Sequence, residues 1–234
     1  KRALPLYLLA EKITASFERL PEDWPVHGTT GYHFANVATG LLVDSAARSR
    51  FDRIYRVFIG EKPVWSDVVY DAKHLILRTS LAAELSVVAN QLARIARANP
   101  RTRDFTRASL RQALAEVIAC FPVYRTYVGD GASAEDRRYI DWAVACARAR
   151  TTAVDQEVFD FVRAALLTEL ETPDEESAQQ VHAFARKFQQ VTAPAAAKGV
   201  EDTALYRFNR LVALNEVGGE PDTFGITVRA FHGD

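Results

Sequence analysis

Between Lys198 and Gly219 the sequence reads KGVEDTALYRFNRLVALNEVGG. This stretch gathers two cations (Lys198, Arg207), a carboxylate pair (Glu201, Asp202), an aromatic hydroxyl (Tyr206) and a second polar knot (Asn215, Glu216). Such a set can bind the hydroxyls of a polar substrate, or it can tie a loop together with salt bridges. The run Val191–Ala197 before it is apolar with one proline, and it reads as a buried strand feeding a functional loop. Residues just past the C-terminal end of a parallel barrel strand face the active site, which is where Lys198 is expected. The same shape recurs near the start of the chain. Leu6–Ala10 is an apolar run, Glu11 and Lys12 follow at once, and Gly28-Thr29-Thr30-Gly31-Tyr32 is a turn-prone loop ending in a polar aromatic. The residues able to do chemistry stand at the two ends, with a long stretch between them.

That intervening stretch reads as helices. Asp44 or Ser45 can cap a helix to about Phe58, with Phe51, Ile54, Tyr55 and Phe58 on one face, ended by Gly60 and Pro63. A pattern from Ser66 to Ala98 steps by three and four, with a break expected near Arg78-Thr79-Ser80, and Asn99-Pro100 stops it. Thr106 caps the next helix, with Leu110, Leu114, Val117 and Ile118 inward. Phe121–Val128 (FPVYRTYV) reads as an extended connector or short strand. Ser133 with Asp136 forms a weaker capping box, Thr152 stands before Asp155, and Thr172-Pro173-Asp174-Glu175 offers a cap with proline at the first helical position. Residues 16–40, broken by Pro21, Pro25, Gly28, Gly31 and Gly40, read as an irregular loop-rich segment. The expected organisation is three segments: 1–44, a helical domain over 45–190, and 191–234. Strand, helices, strand in that order suggest a helical block inserted in a strand-rich scaffold.

Composition narrows the class. The chain has 234 residues, 48% hydrophobic and 25% charged, as in soluble globular proteins. A formal net charge of −1 gives no electrostatic case for nucleic acid or anionic membrane. No apolar run approaches the roughly 20 residues that span a bilayer. Five scattered histidines have no metal-ligand spacing, so neither a metal nor a cofactor is expected. Cys120 and Cys146 sit in apolar helical patterns and read as small buried thiols, which suits a reducing cytoplasm. Methionine is absent and Lys1 opens just before an apolar run, so a piece of something longer is expected.

The segments LAEKI at 9–13, GTTGY at 28–32, FPVYRTYV at 121–128 and AKGVEDTALYRFNRLVALNEVGG at 197–219 resemble the maltooligosyl trehalose synthase family, within the alpha-amylase superfamily of retaining glycoside hydrolases. The resemblance implies a mainly α chain: a helical insertion flanked by a few strands and loops of an incomplete (β/α)8 barrel. It implies an intramolecular transglycosylation that converts the reducing-end α-1,4 bond of a maltooligosaccharide to an α,α-1,1 trehalose linkage. Retaining chemistry needs two carboxyl groups about 5 to 5.5 Å apart. Glu11 matches the acid/base glutamate after the fifth barrel strand, while the nucleophile and the third carboxylate fall outside 1–234. Tyr32, Lys198, Glu201, Asp202, Tyr206 and Arg207 match positions on the substrate side. For Tyr32 the alternatives are a sugar contact or a packed turn; for Glu201, Asp202 and Arg207 they are binding or a salt-bridge network. The sequence departs from the family at His33-Phe34-Ala35-Asn36, which follows GTTGY. Two other readings stay open: another hydrolase or glucanotransferase of the superfamily, and a non-catalytic helical interaction or carbohydrate-binding domain.

Overall fold

The computed structural model describes residues 6–233; Lys1–Pro5, which open the first expected segment, and Asp234 lie outside them. The chain divides into two compact units, Val69–Val200 and the pair of segments Lys1–Val68 and Glu201–Asp234.

The first unit is helical. It holds most of α3 (Trp65–Arg78), then α4 (Ala82–Arg97), α5 (Arg107–Ala119), α6 (Ala134–Arg150), α7 (Gln156–Leu166) and α8 (Glu175–Ala196). The break expected near residue 79 is present at Thr79–Leu81. Helix α4 packs on α5 and α8, and α5 packs on α6 and α7. Their apolar stripes meet as the three- and four-residue spacing requires. Leu110, Leu114, Val117 and Ile118 of α5, Tyr139, Ile140, Ala143, Val144 and Ala147 of α6, and Phe184, Ala185 and Phe188 of α8 are all buried. Ser133 and Asp136 close a full capping box at the start of α6. At α8 the cap is Asp174, which accepts from the Ser177 N–H at 2.8 Å, rather than Thr172. A carboxylate one residue past the proline has the shorter reach to the first orphan donors.

Phe121–Val128 bends at Pro122–Tyr124 and pairs with no strand among the described residues, so side chains satisfy its backbone. The Lys73 ammonium donates to the Phe121 carbonyl at 2.8 Å. The Tyr127 N–H donates to Asp136 at 2.8 Å. Gln189 accepts from the Val128 N–H at 2.7 Å and donates to its carbonyl at 3.0 Å, imitating one rung of a sheet. Beside Lys73, Tyr70 donates to Glu116, which also meets His74 at 3.2 Å. Burial alone pushes the Glu116 carboxyl up, but the hydrogen bonds from His74 and Tyr70 outweigh it and hold the group below its usual range. Burial and the bond to Glu116 push the Tyr70 phenol well above its usual value.

The second unit is smaller and less regular. Strand β1 (Leu9–Ala10) pairs in parallel with β2 (Gly28–Thr29), Leu9 opposite Gly28 and Ala10 opposite Thr29. Helix α1 (Tyr32–Leu41) follows β2, then a 3-10 turn (Ser45–Ala47) and α2 (Arg48–Ile59). After the return from the helical unit come α9 (Leu205–Arg207), a 3-10 turn (Val212–Leu214) and α10 (Val228–Phe231). Arg210 ties this unit together. It is buried, pairs with Asp52 at 2.7 Å, donates to the carbonyls of Pro221 and Asp222, and lies over the rings of Phe208 and Phe224.

Several expectations are corrected. Val191–Ala197 is not a strand. Residues 191–196 complete α8, and a π-helical segment, Ala197–Ala204, continues it into α9. Four alanines are strong helix formers, and a short apolar run cannot tell a strand from a buried helix. Proline at 194 is accommodated inside the helix, and the wider π register begins three residues later. Residues 16–40 are not loop throughout, since they contain β2 and most of α1. The strand expected over Leu6–Ala10 shrinks to two residues, and Leu6 and Tyr7 are each 77% exposed. On α2, Phe51 stacks on Phe224 and Tyr55 on Phe208, while Ile54, Val57 and Phe58 face outward. Trp142 on α6 is half exposed.

At Gly199 the π segment packs tightly against α3. A Cβ there would sit 2.7 Å from Lys73 Cγ and 3.0 Å from Lys73 Cα. Gly199→Ala is expected to lower stability by about 1–3 kcal/mol through overpacking, read as a lower urea midpoint at unchanged slope. Burial lowers the Lys73 pKa to about 8. A lysine whose folded pKa is depressed costs stability below that value, and the cost is relieved as pH rises toward its unfolded value near 10.4. The stability of the protein minus that of Lys73→Met should therefore grow between pH 8 and about 10, as measured by urea titrations. A difference that stays flat or shrinks over that window would contradict the burial of a charged amine.

Candidate active site

Parallel pairing of β1 and β2 sends both strands toward the same end. The Thr30 N–H donates to the Ala10 carbonyl at 3.1 Å, and the His27 N–H to the Leu8 carbonyl at 2.8 Å. Glu11 is the first residue past β1, and Thr30-Gly31-Tyr32 lies just past β2. At that end Tyr32 donates its hydroxyl to Glu11 Oε1 at 3.0 Å. The turn that delivers Tyr32 needs glycine, because Gly31 sits at φ 97° in the left-handed region.

Alternation along the chain separates Glu11 from Lys12. Lys12 turns inward and pairs with Glu18 at 2.6 Å, both side chains nearly buried. Glu11 stays solvent-accessible. The bond to Glu11 and its charge, then partial desolvation and the charge of Glu201, raise the Tyr32 pKa. Glu201, in the π segment, is therefore near enough to act electrostatically on that phenol. Glu11 and Tyr32 meet, and the charge of Glu201 reaches the same phenol.

The remaining expected residues stand at exposed positions. Asp202 and Arg207 are exposed and make no ion pair among the described residues; of the two expected alternatives for this trio, the salt-bridge network lacks these two members. Tyr206 is 78% exposed. Lys198 lies in the helical unit at an exposed position of the π segment, not at the end of a strand. Asn215 ties the backbone together. Its amide donates to the carbonyls of Leu205 and Phe208, each at 2.6 Å.

Two positioning residues escaped the sequence reading. Tyr55 accepts from the Asn209 N–H at 3.0 Å and donates to the Arg207 carbonyl at 3.4 Å, which fixes the backbone carrying Tyr206 and Arg207. Asn36, one turn after Tyr32, donates to the carbonyls of Tyr32 and Val217, each at 2.9 Å. It binds the start of α1 to the turn at Gly218, whose φ is 74° and whose Cβ position would meet Ile13 Cγ2 at 2.9 Å. The available signal for Asn36 was its spacing of four from Tyr32. His33 and Asn36 also line a cleft of about 260 Å³ with Ser16, Gly40, Leu214 and Glu220. Among the described residues no cluster of His, Cys, Asp and Glu is arranged to hold a metal, and no helix is long and apolar enough to cross a membrane.

Known proteins resemble this chain in sequence and fold. The maltooligosyltrehalose synthase of Arthrobacter ramosus superposes on 97% of this chain with a TM-score of 0.80 and 33% identity. This chain is a relative of the maltooligosyl trehalose synthases. A Mycobacterium tuberculosis protein provisionally named maltooligosyl trehalose synthase is 28% identical over 230 residues, 97% of this chain. A DSM5389 glycosyltrehalose synthase superposes over 97% of the chain with a TM-score of 0.65 and 25% identity. The chain covers 26% of the Arthrobacter and Mycobacterium proteins, so it spans about a quarter of the length of the relatives it matches. No family model matches it.

Removing the Asn36 amide should loosen the cluster without touching Glu11. Asn36→Ala is expected to cost about 1–3 kcal/mol, because it leaves two carbonyls short of a donor. Urea unfolding gives that number. Tyr32 fluorescence quenching by iodide, followed in a background lacking tryptophan, should increase if α1 is freed at its start.

Proposed function

We propose that this chain supplies the acid/base part of the active site of a maltooligosyl trehalose synthase, a (1->4)-alpha-D-glucan 1-alpha-D-glucosylmutase of the alpha-amylase superfamily. The observation that carries the reading is the meeting of Glu11 and Tyr32 past the ends of two parallel strands, with Glu201 beside them. In this reading β1 and β2 belong to a (β/α)8 barrel, and the exposed Leu6, Tyr7, Val57 and Phe58 are surfaces that the rest of the barrel covers. Residues 1–44 carry the acid/base strand and a substrate-side loop, 45–190 form the helical insertion, and 191–234 carry the KGVEDTALYR segment. Similarity to the Arthrobacter ramosus enzyme supports it.

Glu11 protonates the departing glycosidic oxygen at the reducing-end α-1,4 bond of a maltooligosaccharide. It then takes a proton from the anomeric hydroxyl of the released glucose as that hydroxyl attacks the covalent glycosyl-enzyme. The hydroxyl of Tyr32 holds the carboxylate in the orientation both transfers need. Lys198, Glu201, Asp202, Tyr206 and Arg207 present donors and acceptors to sugar hydroxyls, and Tyr206 offers an exposed ring face. The nucleophile and the third carboxylate belong to parts of the enzyme outside residues 1–234. These groups act as a unit, so the chain by itself is inactive. The reaction needs no cofactor, and a cytoplasmic location suits the two unpaired thiols.

The test uses the longer enzyme containing this chain, acting on a maltooligosaccharide, with reducing ends and free glucose both followed. Reducing ends should disappear with little glucose released. Glu11→Gln should slow that loss by about a hundredfold or more. Intact reducing ends with glucose released would instead mark a hydrolase, and full activity in Glu11→Gln would remove Glu11 from the chemistry.

A further inference from the structure

The helical unit holds a cleft that the catalytic reading does not use. Its volume is about 370 Å³, and it lies where the end of α4 meets the start of α8, with one side chain of α7 in its floor. Small-molecule sites occupy roughly 300–1,000 Å³. The floor is apolar, lined by Ile95 of α4, Phe161 of α7 and Val181 of α8. Phe105 backs the Phe161 ring, with centroids 5.7 Å apart, which fixes the floor. The walls are two connectors, Asn99-Pro100 after α4 and Leu170–Pro173 before α8.

Four polar side chains stand around that floor: Asn99, Glu171, Thr172 and Gln180. The Asn99 amide oxygen accepts from the Arg101 N–H at 2.9 Å, and the Thr102 hydroxyl donates to the Ala96 carbonyl at 2.9 Å, so the turn carrying Asn99 is tied down. The Asn99 amide nitrogen, the Glu171 carboxylate, the Thr172 hydroxyl and the Gln180 amide make no hydrogen bond among the described residues. An apolar floor with a few convergent polar groups is the form of a ligand site. No cation lines the cleft, so a phosphate or carboxylate ligand would meet only the like charge of Glu171. The set suits an uncharged polyol instead. Carboxylate and amide oxygens accept from sugar hydroxyls, amide nitrogens donate to them, and the C–H face of a pyranose lies on an apolar surface.

We propose that this cleft binds a glucosyl unit of an α-glucan chain, as a second carbohydrate site built from residues other than Glu11, Tyr32 and the KGVEDTALYR segment. Naming an α-glucan rather than another uncharged sugar rests on the function proposed above. Glu171, Thr172 and Gln180 hold hydroxyls from the α8 side, and Asn99 holds them from the α4 side. A polymer held here stays at the enzyme, which raises its effective concentration; a short oligosaccharide gains nothing once it leaves the cleft. The site therefore favours long substrates over short ones.

The experiment uses the longer enzyme that contains this chain, as wild type and as the double variant Glu171→Ala/Gln180→Ala. Both side chains are exposed, so the variant keeps the fold. Backbone hydrogen exchange is followed by mass spectrometry with maltoheptaose, cellopentaose or spermidine added. In the wild type, maltoheptaose should slow exchange over residues 95–103 and 168–181, and the other two should not. In the double variant the affinity read from that protection should fall about fivefold or more, while protection around Glu11 and Tyr32 stays. KM for a long amylose should rise by a similar factor, and KM and kcat for maltotetraose should not change. The proposal is overturned if maltoheptaose leaves both segments unprotected, or if cellopentaose or spermidine protects them equally. It is also overturned if the double variant is protected as fully as the wild type. Segments already fully protected in the sugar-free wild type, because another part of its chain fills the cleft, would overturn it too. A protected cleft with an unchanged KM for amylose would remove its role in substrate preference. Survival of reducing ends in the wild-type reaction would sink the enzymatic reading alone, since the exchange data decide the cleft without turnover.

Discussion

The close approach of Gly199 to Lys73 is the constraint on which the helical unit turns. The π segment touches the backbone of α3 at that point, and a single methyl group would collide with it. The same lysine reaches on to the Phe121 carbonyl and anchors the connector between α5 and α6. One buried amine thus serves two ends of the unit, and its charge is tolerated because its donor is used. On the same helix, Tyr70 and His74 both meet Glu116 of α5. A core of apolar stripes would pack without them.

The other unit solves a different problem. It has little regular structure to fix side chains, so backbone carbonyls are fastened individually. Asn36, Asn215, Tyr55 and Arg210 each hold two or more main-chain groups. Such side-chain-to-backbone bonds replace the ladders that a complete sheet would provide. Glu11 and Tyr32 depend on them, because neither strand exceeds two residues. The ring stack of Phe51 on Phe224 and of Tyr55 on Phe208 closes the same unit from behind.

Most of the helices were legible in the sequence. Stripes at three- and four-residue steps, the capping box at Ser133 and the cap at Thr106 act locally, and local signals survive in any tertiary setting. The misreadings have a common cause. Val191–Ala197 is apolar and too short to show a period, so only its neighbours decide whether it coils or extends. Residues 16–40 hide a helix because Gly31, read as a breaker, instead caps its start, and Gly40 lies buried inside it. Ile54 and Phe58 have the spacing of a core face, yet on this chain the face is open.

By itself the sequence determined the helical class, the caps and the identity of the residues able to do chemistry, since these rest on side-chain type and on spacing within one turn or strand. Tertiary structure alone decided which of them meet. It joined Glu11 to Tyr32 across 21 residues, brought Glu201 within reach of the same phenol, and left Asp202 and Arg207 exposed with no ion pair among the described residues. Contacts between residues far apart in the chain depend on how whole elements pack, and no local pattern encodes that packing.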